Sequence, residues 1–227
     1  MPLRPSTGWV VLHLFLRAGP SADPAALEAV VKGLGDDVQV VPFSLLGHKA
    51  DFGVMLLGPD LWALRAAQTG IAACGVAVVD SYVSLTEVSE YAAGMPEAHL
   101  QARLYPQLPP EGKPAFCFYP MSKRRVAGAN WYEQPFEERD RLMRAHGATG
   151  RTFAGRVTQL ITGSTGLDDF EWGVTLFAVH PDDLKEVVYK MRFDEASARF
   201  AEFGPFYVGA VASIDEVLAS VGLRSAR

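Results

Sequence analysis

This chain has little of what most metal, redox and phosphate sites are built from. Its 227 residues include two cysteines, Cys74 and Cys117, too few for a zinc ribbon or an iron–sulfur cluster. Each sits in an apolar run, Ile71–Val79 and Ala115–Phe118, which points to two buried thiols in a reducing cytoplasm rather than a disulfide. There is no glycine-rich phosphate loop and no serine–histidine arrangement. Positive charge is also short: 21 Lys and Arg against 26 Asp and Glu leave a net charge of −5, which argues against broad nucleic-acid binding. No apolar run approaches the ~20 residues of a membrane span. The N-terminal run Trp9–Leu16 is interrupted by His13 and leads into Arg17, so a first β-strand explains it better than a signal peptide. What remains is an ordinary globular composition, 49% apolar and 21% charged.

One plan occurs twice along the chain. Asp51-Phe-Gly-Val-Met-Leu-Leu57 precedes Gly58-Pro-Asp-Leu61 and a helical pattern; Glu171-Trp-Gly-Val-Thr-Leu-Phe177, 120 residues later, precedes Pro181-Asp-Asp-Leu184 and another. Each half reads as strand–helix–strand–strand–helix–strand. The first predicts strands near Trp9–Leu16, Val38–Ser44, Phe52–Leu57 and Val76–Ser84, with helices over Asp23–Leu34 and Pro59–Gln68. The second predicts strands at Ala115–Pro120, Gly155–Thr162, Glu171–Val179 and Phe206–Ala212. Its helices are Pro135–Ala145, stopped by Gly147, and one long helix from Asp182 to Phe203. Leu108-Pro-Pro-Glu-Gly-Lys-Pro114 makes a linker, dividing the chain into halves 1–110 and 111–227. The class is α+β, with two such units set back to back or closed into a barrel.

The chemistry concentrates in Tyr119-Pro-Met-Ser-Lys-Arg-Arg125, with His146 and Gln159 downstream. These supply an oxidisable phenol, a cluster of cations, an imidazole and a neutral amide. The combination suits an iron porphyrin that carries carboxylates, because lysine and arginine pair with carboxylates. His146 ends an amphipathic segment, where a histidine also serves as a capping cation; as a ligand it needs an acceptor on its second nitrogen to fix the tautomer. His13, His48, His99 and His180 have no partner at metal-site spacing. Tyr119 alone reads equally as a residue at the edge of a core, and Arg125 as a solvated turn cation.

Several segments carry a resemblance: Tyr119–Arg125, Asn130-Trp-Tyr132, His146-Gly-Ala-Thr-Gly-Arg151, Gly163–Val174 and Met191–Arg199, with weaker likeness at Asp80–Ser84 and Arg103–Pro106. In these the chain resembles the chlorite-dismutase superfamily, most closely its coproheme decarboxylases. The resemblance implies duplicated ferredoxin-like halves forming an α+β barrel, with porphyrin only in the C-terminal half, and assembly as a homopentamer. It makes His146 the proximal iron ligand, Tyr119 the catalytic radical residue and Gln159 the distal amide. Met121 and Lys123 would border or hold the reacting propionates, and Arg192 and Ser197 would bind propionates. Arg103 and Tyr82 match propionate positions less securely, and Trp131 and Trp172 match tryptophans near the porphyrin.

The implied reaction is peroxide-dependent removal of two propionate carboxyls from iron-coproporphyrin III (coproheme), giving haem b through a Tyr119 radical with hydrogen peroxide as oxidant. Gln159 stands thirteen residues beyond His146, where chlorite dismutases carry an arginine, and so argues against chlorite dismutation. A distal histidine upstream of the tyrosine, used by some relatives, would fall at Ala102, with His99 nearby. The alternatives are a chlorite-degrading or peroxidase-like haem enzyme and a haem-binding protein without catalysis. The expected partner is the porphyrin and further copies of this chain, not nucleic acid.

Overall fold

In the computed structural model, which describes residues 1–92 and 94–223, the chain runs β1 (Val10–Arg17), α1 (Pro24–Lys32), β2 (Gln39–Leu45), β3 (Phe52–Gly58), α2 (Leu61–Ala73), β4 (Ala77–Thr86) and α3 (Glu97–Leu104). The second half follows as β5 (Ala115–Lys123), a small hairpin of β6 (Arg125–Val126) and β7 (Ala129–Asn130), then α4 (Phe136–Arg151), β8 (Val157–Gly163) and β9 (Trp172–Ala178). It ends with α5 (Pro181–Met191), α6 (Glu195–Phe200), β10 (Ala201–Phe203), β11 (Tyr207–Val211) and α7 (Ile214–Ser220).

The large sheet is antiparallel in the order β10-β5-β11-β2-β3-β1-β4-β8-β9, and β9 pairs again with β5, closing a barrel. Within it, β2-β3-β1-β4 and β8-β9-β5-β11 repeat one ferredoxin-like order. The halves join where β4 meets β8 and β11 meets β2. The repeated sequence segments are β3 and β9, the third strand of each half. At the β11–β2 join the backbones approach so closely that any side chain at Gly209 would collide with the Ser44 carbonyl.

Side chains alternate across each strand. On β1, Val11 and Phe15 enter the barrel interior, while Val10, Leu12, Leu14 and Leu16 pack under α1, α2 and α7. Both faces are therefore buried, which explains the nearly unbroken apolar run at this strand. Rings fill the interior: Phe43 stacks on Phe116 at 4.1 Å and Phe15 on Tyr207 at 3.8 Å. Each buried Phe contributes about 1.5–3 kcal/mol by leaving water. His13 lies among these rings, fully buried, 4.3 Å from Phe118 and 3.0 Å from the Thr175 hydroxyl.

Two helix expectations fail in the second half. The helix expected over Pro135–Ala145 does not stop at Gly147; α4 continues to Arg151. A glycine ends a helix by adopting positive φ, and neither Gly147 nor Gly150 does so. The long helix expected from Asp182 to Phe203 is two helices and a strand. α5 ends at Met191, Asp194 caps α6 by accepting from the Ala196 amide, and Ala201–Phe203 pairs with Lys123–Met121. An N-capping aspartate starts a new helix where apolar periodicity alone continues the old one. On α2, Asp60 is the cap, and the helix reaches Ala73, past the expected Gln68.

Candidate functional site

Strand β5 sets out the site. Phe116 and Phe118 face the interior, so Tyr119, Met121 and Lys123, at alternate positions, face outward under the helices. Tyr119 packs with Cys117, Val174, Leu176 and Leu184, stacks on Phe206 at 4.5 Å and meets Phe203 at 5.7 Å. Burial, ahead of all else, holds its phenol above the usual tyrosine pKa; the Arg192 cation opposes this weakly. No described residue hydrogen-bonds its hydroxyl. Gln159 belongs to the same outward face, two strands away: it pairs with Leu176, which pairs with Cys117.

Beside Tyr119 lies an open cleft of about 700 Å³ lined by Arg124, Arg192, Ser197, Phe203 and Phe206, among others. Arg192 caps α5 and lies 4.6 Å from the Phe203 ring centre; Arg124 is 3.9 Å from Glu202. Lys123 is buried. Its ammonium sits 4.2 Å over the Trp131 ring and 3.3 Å from the Ala196 carbonyl. Desolvation lowers its pKa to about 8, against the pull of Asp194 and Glu171.

His146 lies within α4, five residues before its end, rather than at a terminus. Its Nδ1 bonds the Asp194 carboxylate, which is nearly inaccessible, and no described residue engages Nε2. This is the acceptor on the second nitrogen that a ligand at this position needs. One turn beyond, Gly150 leaves room: a Cβ there would sit 3.7 Å from Gln159 Nε2 and 4.0 Å from Met191 Cε. The Gln159 amide thus lies against the helix that carries His146.

Two sequence candidates for propionates lie elsewhere. Arg103 is exposed on α3 and does not line the cleft. Tyr82 is an interior residue whose hydroxyl is 2.5 Å from Ser164 Oγ. Arg125, read from the sequence as a solvated turn cation, is exposed at the start of β6, 3.8 Å from Glu171. Trp131 is buried against Leu142, Ala196 and Phe200, and Trp172 donates its indole N–H to Glu87 at 3.1 Å. Asp194 and Glu87 escaped sequence reading. Asp194 had a usable signal, an aspartate before Glu-Ala-Ser in the manner of a helix cap; Glu87 had none. Among the described residues, no three His, Cys, Asp or Glu side chains cluster so as to hold a metal, and none of the helices is long and apolar enough to cross a membrane.

Residues 22–212 match the chlorite dismutase family model. The chain belongs to that family. A coproheme decarboxylase of Staphylococcus saprophyticus subsp. saprophyticus is 39% identical over 248 residues, covering 96% of this chain and 98% of that protein. A protein of Natronomonas pharaonis named for heme binding is 47% identical over 183 residues; the match covers 74% of this chain and 30% of that longer protein. Among solved structures, a heme-binding protein of Thermus thermophilus superposes with a TM-score of 0.83 at 36% identity, covering 98% of this chain and 100% of that one.

Proposed function

We propose that this chain is a coproheme decarboxylase: it converts iron-coproporphyrin III to haem b with hydrogen peroxide, in haem biosynthesis. One observation carries the reading beyond family membership. A phenol with no hydrogen-bond partner among the described residues shares a sheet face with Met121, Lys123 and Gln159, beside an arginine-lined cleft. The donor set fits an iron porphyrin with carboxylate arms. His146 Nδ1 is tied to Asp194, so Nε2 is the nitrogen left for iron. The cleft adjoins that set through Phe206, which stacks on Tyr119, and Arg192 and Ser197 in its lining provide partners for propionates.

Bound there, the iron porphyrin with peroxide supplies the oxidising power and is itself the substrate. Tyr119 is protonated at neutral pH, as any tyrosine is, and burial holds the phenol further from ionisation, so it gives up an electron and a proton together. The phenoxyl radical takes a β-hydrogen from the nearest propionate. Overall, each propionate releases carbon dioxide, one proton and two electrons as its vinyl group forms, and one peroxide takes two electrons and two protons to become two waters. Lys123 steadies the reacting carboxylate, Met121 borders it, and Trp131 holds the Lys123 ammonium against its ring face. Gln159 offers an amide that donates and accepts hydrogen bonds but carries no charge.

In this proposal the half 111–227 holds the porphyrin, with Arg103 as an outlying propionate partner from the first half. The protein works as a homopentamer in the cytoplasm, where Cys74 and Cys117 stay as free thiols. Mass spectrometry of the porphyrins after peroxide is added to coproheme-loaded protein tests the reaction. Stepwise loss of two carboxyl groups, ending at haem b, is expected; unaltered coproheme would overturn it.

A further inference from the structure

The Trp172 indole already holds a carboxylate, and that carboxylate belongs to the protein. Glu87 follows the last residue of β4, and its side chain turns back over the sheet, where Oε1 accepts from Trp172 Nε1 at 3.1 Å. Gly163 makes this possible: a Cβ there would collide with the Glu87 carboxylate. Direct cross-strand pairing links Phe203 to Met121, Met121 to Trp172 and Trp172 to Gly163. Paired residues share a face, so one row runs from the cleft wall at Phe203, past Met121, to the indole and the glycine that Glu87 covers.

An indole N–H is a donor only and has one hydrogen to give. The proposed substrate brings four carboxylates to this face, chemically the same kind of acceptor as Glu87. Resting on the decarboxylase reading, we propose that Trp172 Nε1 is a carboxylate subsite for a reacting propionate, and that Glu87 occupies it when substrate is absent. Substrate binding exchanges one carboxylate for another at the indole. After decarboxylation the new vinyl group cannot accept a hydrogen bond, so Glu87 returns. The exchange distinguishes a tetracarboxylate substrate from its dicarboxylate product.

The electrostatics agree with an occupant that can be displaced. Burial raises the Glu87 pKa and the indole bond opposes it; these are the causes of the shift, and no cation contributes. Charged groups on the neighbouring elements are engaged elsewhere. Glu171 accepts from the Lys123 amide and faces Arg125, Asp168 accepts from the Val83 amide, and the Lys123 ammonium lies over Trp131. A carboxylate held by one neutral donor exchanges more readily than one in an ion pair.

The test is a titration of wild type, Glu87→Gln and Trp172→Phe with coproheme and, separately, haem b, followed in the Soret region at neutral and at mildly acid pH, since burial raises the Glu87 carboxyl above its ordinary value. Protonating Glu87 weakens its hold on the indole, so the coproheme affinity of wild type should rise relative to that of Glu87→Gln as pH falls, by at most about tenfold per pH unit; loss of affinity from protonation of His146 and of the propionates is common to both proteins and cancels. Glu87→Gln should bind coproheme severalfold more tightly than wild type at neutral pH, with haem b affinity unchanged. Trp172→Phe should lose coproheme affinity and keep haem b affinity. Equal effects of Glu87→Gln on both porphyrins, or no effect on either, would overturn the exchange while leaving the decarboxylase reading intact. Wild-type protein that binds coproheme without converting it would instead overturn that reading.

Discussion

Asp194 joins two functions across 48 residues: one carboxylate oxygen bonds His146 Nδ1, and the other accepts from the Ala196 amide as the N-cap of α6. The imidazole on α4 is therefore oriented by the residue that starts the helix carrying Ser197.

The two roles can be separated. Asparagine is as good an N-cap as aspartate, so Asp194→Asn should keep α6 while weakening the anchor on His146. Porphyrin affinity should fall by about 10–100-fold, the usual effect of losing such a partner, with little change in stability. Asp194→Ala should show the same loss of affinity and lose about 1 kcal/mol of stability as well. Soret titration and urea unfolding on each variant distinguish the outcomes.

Tyr119→Phe removes only the hydroxyl and preserves the ring that stacks on Phe206. It should bind coproheme nearly as wild type does and yield almost no vinyl product on peroxide titration. Substantial haem b in the product analysis would remove the phenol from its role.

Arg192→Leu takes a cation from the cleft but keeps an apolar group over Phe203. A charge-assisted hydrogen bond is worth about 1.5–3 kcal/mol, so the coproheme dissociation constant should rise by roughly 10–100-fold. Circular dichroism should be unchanged.

His13 governs acid stability. Burial lowers its pKa from 6.5 to about 3, so the folded protein holds the neutral ring, while the unfolded chain takes up a proton below about pH 6.5. Its contribution is complete above that pH and is lost as pH falls towards 3, amounting to several kcal/mol, on the order of 4. Chemical denaturation between about pH 7 and pH 4 should show stability falling with acid, and His13→Gln should flatten that slope whatever its effect at neutral pH.

Part of this was legible in the sequence. The repeat from Asp51 to Glu171 marked β3 and β9 as equivalent strands of a duplicated α+β unit. The strand expected to end at Pro120 runs on as β5 to Lys123, and only that extension puts Met121 and Lys123 on the Tyr119 face. Gly147 misled because a glycine does not declare its φ: α4 runs through it to Arg151. The break at Asp194 was missed because apolar spacing continues across it, and only the cap hydrogen bond ends one helix and begins another.

The sequence by itself determined the residue types of the site, the approximate positions of most strands and helices, and the doubled plan, since these depend on local propensity and on periods of two and 3.6 residues. Tertiary structure alone decided that His146 meets Asp194, that Glu87 reaches Trp172 over Gly163, and that Tyr82 turns into the barrel while Tyr119 faces the helices. Glu87 and Trp172 are 85 residues apart, and they become neighbours only because β4 pairs with β8 and β8 with β9. Local chemistry carries no record of that closure.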